Sequence, residues 1–272
     1  MNAILWAAFL SSAASYLLSC GFFVAQARRK PALHLPPQGP LRLLELGAVL
    51  HLLYLVLLSV LDRRCPVFSM HSALGIISLV GVVTFAVVSR GRRLEALGGF
   101  VSALAALCLV ATHLVATRPP STNDRWLLAI HITSNFVGGG ILLVAGCASA
   151  FYLWNERRLR QRRSLGQGPK LPPLESLDSV VHRLLWIGVP LLTVGILSGR
   201  LVMKLTEHVS AGDRVRALLS IGSWLLLLGV LVLRQWRGWA GRRPAYLALA
   251  GALGILLVIA MYVGRAMLGA GG

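Results

Sequence analysis

Apolar runs long enough to cross a bilayer, separated by short basic loops, constrain this chain more than any motif in it. The runs fall at residues 3–25, 43–61, 72–89, 96–117, 127–154, 180–203, 214–233 and 244–268 of 272. A helix needs about 20 mostly apolar residues to cross a hydrocarbon core of roughly 30 Å. A backbone in lipid must satisfy its own hydrogen bonds, and the alternating pattern of a barrel is absent, so helices are what remains. Composition agrees, with 56% hydrophobic and 13% charged residues, against about 45–50% and 25% in a soluble domain. The expectation is an all-α, polytopic integral membrane helix bundle of about eight spans. It forms one transmembrane domain over residues 1–272, with no soluble catalytic module.

The net charge of +18 is placed for topology rather than for nucleic acid, because the 27 Lys and Arg lie almost wholly in loops. The first, third, fifth and seventh loops hold 17 of them and the other three hold 7. Positive charge stays in the cytoplasm, which puts the odd loops inside and both termini outside. The first run has no basic residue before it and Arg28, Arg29 and Lys30 after it, the pattern of a retained anchor rather than a cleaved signal. These features suit a multi-pass protein of the bacterial inner membrane, in contact with the lipid bilayer and not with nucleic acid.

The fifth loop, "NERRLRQRRSLGQGPKLPPLESLD", is the one sizeable loop. Its first part should continue the fifth span as a basic helix, and Gly166, Gly168, Pro169, Pro172 and Pro173 should then break regular structure. Ser176, Asp178 and Ser179 are candidate N-caps for the sixth span. Its arginines suit anionic lipid, or a cytoplasmic protein docking at residues 155–178. The sixth span carries Pro190 with Gly188 and Gly195 nearby, which allows a kink, close helix contacts or room for a ligand. The sixth loop, "RLVMKLTEHVSAGDR", is long enough for an amphipathic turn or two on the outer surface. Cys20, Cys65, Cys108 and Cys147 show no CxxC spacing, and only Cys65 should reach the outer surface.

This topology makes the seven histidines informative. His34 and His182 are cytoplasmic; His71, His113, His131 and His208 collect at the outer face; His51 lies about 15 Å deeper. Ionisable residues within spans are costly, face the bundle interior and count as functional candidates. In "LLAIHITSNFVGGG", His131, Ser134, Asn135 and Gly138 share one helical face. That face is polar near the membrane surface and bare below it, fit to pack tightly on another helix or to admit a flat ligand beneath an imidazole. Zinc sites show close ligand spacing, carboxylates or thiolates, which are missing here. Imidazoles from separate helices fit bis-histidine ligation of a haem better. Only nine acidic residues exist, mostly in loops, and no catalytic triad or carboxylate pair is supported.

The stretches "WLLAIHITSNFVGGGILLVAGCASAFYLWNERRL", "LPPLESLDSVVHRLLWIGVPLLTVGILSG" and "RGWAGRRPAYLALAGALGILLVIAMYVG" resemble the cytochrome c assembly family of membrane proteins, the CcsA/CcmC class. The likeness is closest to the smaller HemX-like members. It implies handling of haem, taken as haem b, for cytochromes c outside the membrane. Full members hold haem with two external and two intramembrane histidines around a tryptophan-rich loop. By position His131 resembles the first external histidine and His51 the first intramembrane one, which makes these two the implied ligands of haem iron. The tryptophan-rich signature is missing, the second intramembrane position falls near Val232, and the second external one falls in "MLGAGG". Replacement ligands on the right side of the membrane are His71, His113 and His208.

The expected function is therefore non-enzymatic: a membrane haem-handling protein of cytochrome c biogenesis, working with haem and another cytochrome c maturation membrane subunit. Two other readings stand beside it. One is a regulatory protein docking a cytoplasmic haem-biosynthesis enzyme through the arginines of the fifth loop. The other is a transporter or electron-transfer subunit whose polar face at 131–138 lines a path.

Overall fold

A computed structural model describes residues 3–27, 38–62, 70–90, 94–114, 125–161, 173–204 and 210–268. Among them are eight α-helices and no strand: α1 (Ala3–Ala27), α2 (Gly39–Asp62), α3 (Met70–Ser89), α4 (Glu95–Ala111), α5 (Arg125–Arg160), α6 (Leu174–Lys204), α7 (Ala211–Arg237) and α8 (Arg242–Leu268). All but α4 are long and apolar enough to cross a membrane. The expected helix bundle is what the chain forms.

α4 is the exception. It has 17 residues, about 25 Å at the helical rise, and then tightens into a 3-10 turn at Thr112–Leu114. The Thr112 hydroxyl donates to the Leu109 carbonyl at 2.6 Å, a local bond that competes with the regular helical ladder. Within the apolar run at 96–117 the regular helix thus gives way to a 3-10 turn after Ala111, and residues 115–117 lie outside the described set.

α5 is the axis of the molecule. With 36 residues it measures about 54 Å, so it outruns the bilayer and carries Trp154, Arg157, Arg158 and Arg160 beyond the apolar stretch, as the basic fifth loop implied. Its most apolar stretch is 72% buried, against 17% for α8. It packs most extensively on α6, then on α8 and α3, while α1, α2 and α4 assemble on the far side of α3. The glycine triplet reports this crowding. A Cβ at Gly138 would meet Gly188 O and Leu192 N of α6, one at Gly140 would meet Ile77 O of α3, and Gly139 faces Ile255 of α8. Successive helical residues are about 100° apart, so three adjacent glycines serve three neighbouring helices.

Two expectations about helix ends change. α6 begins at Leu174, ahead of Ser176, Asp178 and Ser179: the Pro173 carbonyl accepts from Leu177 N at 3.2 Å, and proline loses nothing at a position whose N–H has no helical partner. The sixth loop is largely absorbed into helices, since α6 runs to Lys204 and α7 starts at Ala211. Ser210 caps α7, taking Asp213 N at 3.2 Å while the Asp213 carboxylate takes Ser210 N at 3.1 Å, a reciprocal capping box. Residues 205–209 lie outside the described set. At the other end of α7, Gly238 and Gly241 take φ of 63° and 90°, which favours glycine and turns the chain into α8 within four residues. The "GWAG" junction is thus a backbone requirement.

Asp178 holds α6 to the end of α7 instead of capping. Its two carboxylate oxygens accept from Arg234 at 2.9 and 2.5 Å, with the pair 20% and 17% exposed. Removing one partner of a half-buried pair strands the other charge. Asp178→Asn should cost about 1–3 kcal/mol. Adding Arg234→Gln should then cost little more, a coupling read from denaturation midpoints in detergent.

Candidate functional site

α5, α6, α7 and α8 enclose a cavity of about 430 Å³, within the usual size range of small-molecule and cofactor sites. It lies where α5 and α7 begin and α6 and α8 end, the end that loop charge assigns to the outside. Leu192, Ile196, Ile255, Val258 and Ile259 make its apolar wall, with Phe136 and Tyr262 as the aromatic members. Its polar groups are His131, Asn135, Arg200, Asp213, Arg216 and Ser220.

His131 is held by the bare face of α6. A Cβ at Gly199 would fall 2.5 Å from His131 Cε1, and one at Gly195 would fall 2.6 Å from Asn135 Nδ2. Glycines one turn apart on α6 therefore form a slot for side chains one turn apart on α5. His131 Nδ1 donates to the Gly195 carbonyl at 2.7 Å. A carbonyl oxygen only accepts, so the neutral ring carries its proton on Nδ1 and its lone pair on Nε2. The Asn135 amide donates to the His131 main-chain oxygen at 2.6 Å, and its nitrogen lies 3.2 Å from Nδ1. A carbonyl oxygen bonded to one ring nitrogen in this way fixes the tautomer and the direction of an imidazole.

Arg216 occupies the polar end. It is 5% exposed, pairs with Asp213, and lies over the Tyr262 ring at 4.6 Å. Arg265 reaches the same carboxylate at 3.0 Å. Sequence reasoning missed Arg216, although a charge within the run at 214–233 met the rule applied to the histidines.

His51 and His113 belong to a different place. The His51 ring is fully buried between α1, α2 and α3, with Nδ1 3.1 Å from the Tyr16 hydroxyl. Its Nε2 has no hydrogen-bond partner and faces α3, where a Cβ on Gly75 would be 3.2 Å away. His113 stacks on Trp6 with ring centroids 5.3 Å apart and meets Phe9 edge-on at 4.2 Å. The Tyr54 ring stands 6.4 Å from His51 and 6.3 Å from His113. Neither histidine lines the cavity that His131 lines. A shared side of the membrane does not mean a shared pocket, since side fixes depth and not the direction a helix faces. His71 lies in the first turn of α3 with its side chain outside the described set, where His208, His34 and Cys65 also fall.

Among the described residues no group of three or more His, Cys, Asp or Glu side chains is close enough to hold a metal ion. Cys20, Cys108 and Cys147 are free thiols. Pro190 is on the exposed face of α6 and does not line the cavity. Of the fifth-loop arginines within the described set, Arg157 donates to Tyr246, Arg160 pairs with Glu156, and Arg158 lies over Trp154, so each has a partner in its own chain.

Comparison with known proteins agrees with this architecture. The model of the family described as Cytochrome C assembly protein matches residues 41–269. The cytochrome c biogenesis protein CcsA of Nostoc punctiforme is 27% identical over 207 residues, covering 74% of this chain and 56% of that protein. CcsA of Trichormus variabilis is 29% identical over 211 residues, with the same coverage. The inner membrane protein YpjD of Escherichia coli is 28% identical over 154 residues, 57% of this chain and 54% of that one. The chain thus spans about half the length of the curated relatives it matches. It is a multi-pass membrane protein, and it belongs to the cytochrome c assembly family of the CcsA/CcmC class.

Proposed function

We propose that this chain is a non-enzymatic, haem-handling protein of cytochrome c biogenesis in the bacterial inner membrane. Haem would be held between α5, α6, α7 and α8 near the outer face, with His131 Nε2 as a ligand of its iron. The observation that carries the reading is the His131 ring: Nδ1 is committed to Gly195 O, which leaves the Nε2 lone pair for a ligand, and the residue lines a cavity walled by aliphatic and aromatic side chains. The donor set fits a porphyrin. The neutral imidazole suits iron, the apolar walls suit the macrocycle, and the arginines at the polar end suit carboxylates. Bound there, haem would supply an iron that takes an imidazole ligand and changes oxidation state. Met203 brings a thioether to the same cavity, a side chain that partners histidine in some haem proteins. The maturation role rests on the family, whose relatives include proteins named for cytochrome c biogenesis. A further cytochrome c maturation membrane subunit is the partner that membership of this family suggests.

The test is the absorption spectrum of detergent-purified protein, oxidised and dithionite-reduced, with a pyridine haemochrome assay. The expected result is about one haem b per chain, low-spin, with sharp reduced α and β bands. No haem after purification and reconstitution would overturn the reading.

A further inference from the structure

We propose that Arg216 is a carboxylate-binding residue that selects acid-bearing ligands for the cavity; the inference rests on the haem reading and names the part of the ligand that the polar end recognises. Arg216 is a buried cation one turn into α7, lining the cavity. Its Nη2 nitrogen is paired with Asp213, while Nε is buried with no hydrogen-bond partner. A buried donor left unmade is costly, and a ligand oxygen would relieve it. Guanidinium is suited to this, since its planar fork matches a carboxylate and is weakly hydrated. Tyr262 beneath the guanidinium holds its plane.

The local charge balance points the same way. Among the described residues, Asp213 is the single carboxylate lining the cavity, it is shared by Arg216 and Arg265, and Arg200 is a further cation in the lining. Two guanidinium groups on one carboxylate, with a third arginine in the lining, leave an excess of positive charge among the polar groups of the cavity. The rest of the wall is aliphatic and aromatic. The arrangement fits a planar apolar molecule with a carboxylate at one edge, which for haem means its propionates.

Iron-free protoporphyrin IX and its dimethyl ester separate this proposal from axial ligation, because neither has a metal. Each is titrated into the full-length protein in detergent and followed by porphyrin fluorescence, with thermal midpoints recorded for every variant. Wild type should bind the acid about ten- to hundredfold more tightly than the ester. Arg216→Gln should remove that preference. Asp213→Asn frees the same guanidinium and should bind the acid at least as tightly as wild type. Equal binding of acid and ester by wild type would overturn the carboxylate site alone, leaving the haem reading to the His131-dependent spectrum. Binding of neither porphyrin, with no haem spectrum, would overturn both. Equal loss of acid binding in Arg216→Gln and Asp213→Asn would mark a merely structural ion pair and overturn the proposal.

Discussion

His131→Ala is expected to lower haem retention by about tenfold or more and to leave the remaining pigment high-spin. Second-shell partners of metal-bound histidines are worth about 10–100-fold each, so loss of the ligand itself should cost no less. The geometry makes the substitution local. The ring sits in the slot at Gly195 and Gly199, and its removal leaves a space of imidazole size beside an intact cavity. Free imidazole added to the alanine variant should therefore restore the low-spin spectrum, whereas a variant damaged in its fold would not respond. Gly199→Ala should also lower haem retention, but by filling the slot instead of emptying it, because the new methyl would fall 2.5 Å from His131 Cε1 and must push the ring from the carbonyl that orients it. Added imidazole should not rescue that variant, since the space remains filled. An unchanged spectrum in His131→Ala would remove this residue from the ligand set.

What the sequence made legible follows from what lipid enforces. A helix in hydrocarbon needs length and apolarity, so the seven long spans and the overhang of α5 were readable. So was the polar-then-bare face of residues 131–138, which packs on α6 and, at His131 and Asn135, lines the cavity. Side of the membrane was enough to group His113 with His131, but not to show that His113 turns to Trp6 and Phe9 while His131 turns to Gly195. Rotation about the helix axis is set by packing with partners far along the chain, which periodicity alone does not identify. Asp178 shows the same limit. Its spacing suits a cap, but its partner Arg234 lies 56 residues away. Arg216 was hidden for another reason: two residues after Arg214 at the end of the sixth loop, one more arginine reads as a loop-end charge until its burial is known.

Gly138→Ala and Gly139→Ala, adjacent substitutions of the same type, are expected to change stability in opposite directions. In a helix interior alanine is favoured over glycine by about 0.8–1.0 kcal/mol, so the sign depends on what the new methyl meets. At Gly138 it meets the Leu192 nitrogen at 3.0 Å, Leu191 Cβ at 3.1 Å and the Gly188 oxygen at 3.2 Å. Two of these are backbone atoms of α6, so the helices must separate, and overpacking of this kind costs about 1–3 kcal/mol. Gly138→Ala should lower stability by about 1–2 kcal/mol net, and Gly138→Leu by more than about 3 kcal/mol. At Gly139 the nearest atom is Ile255 Cγ2 at 3.7 Å, an ordinary contact. There the helix preference stands alone, and stability should rise by up to about 1 kcal/mol. Denaturation midpoints in detergent decide it, and equal shifts in the two variants would contradict the close approach of α5 and α6. The same approach places Gly195 O against His131 Nδ1 one to two turns away. Gly138→Ala should therefore weaken haem retention along with stability, while a Gly139→Ala protein that is more stable yet binds less haem would show that its methyl intrudes on the cavity that Gly139 lines.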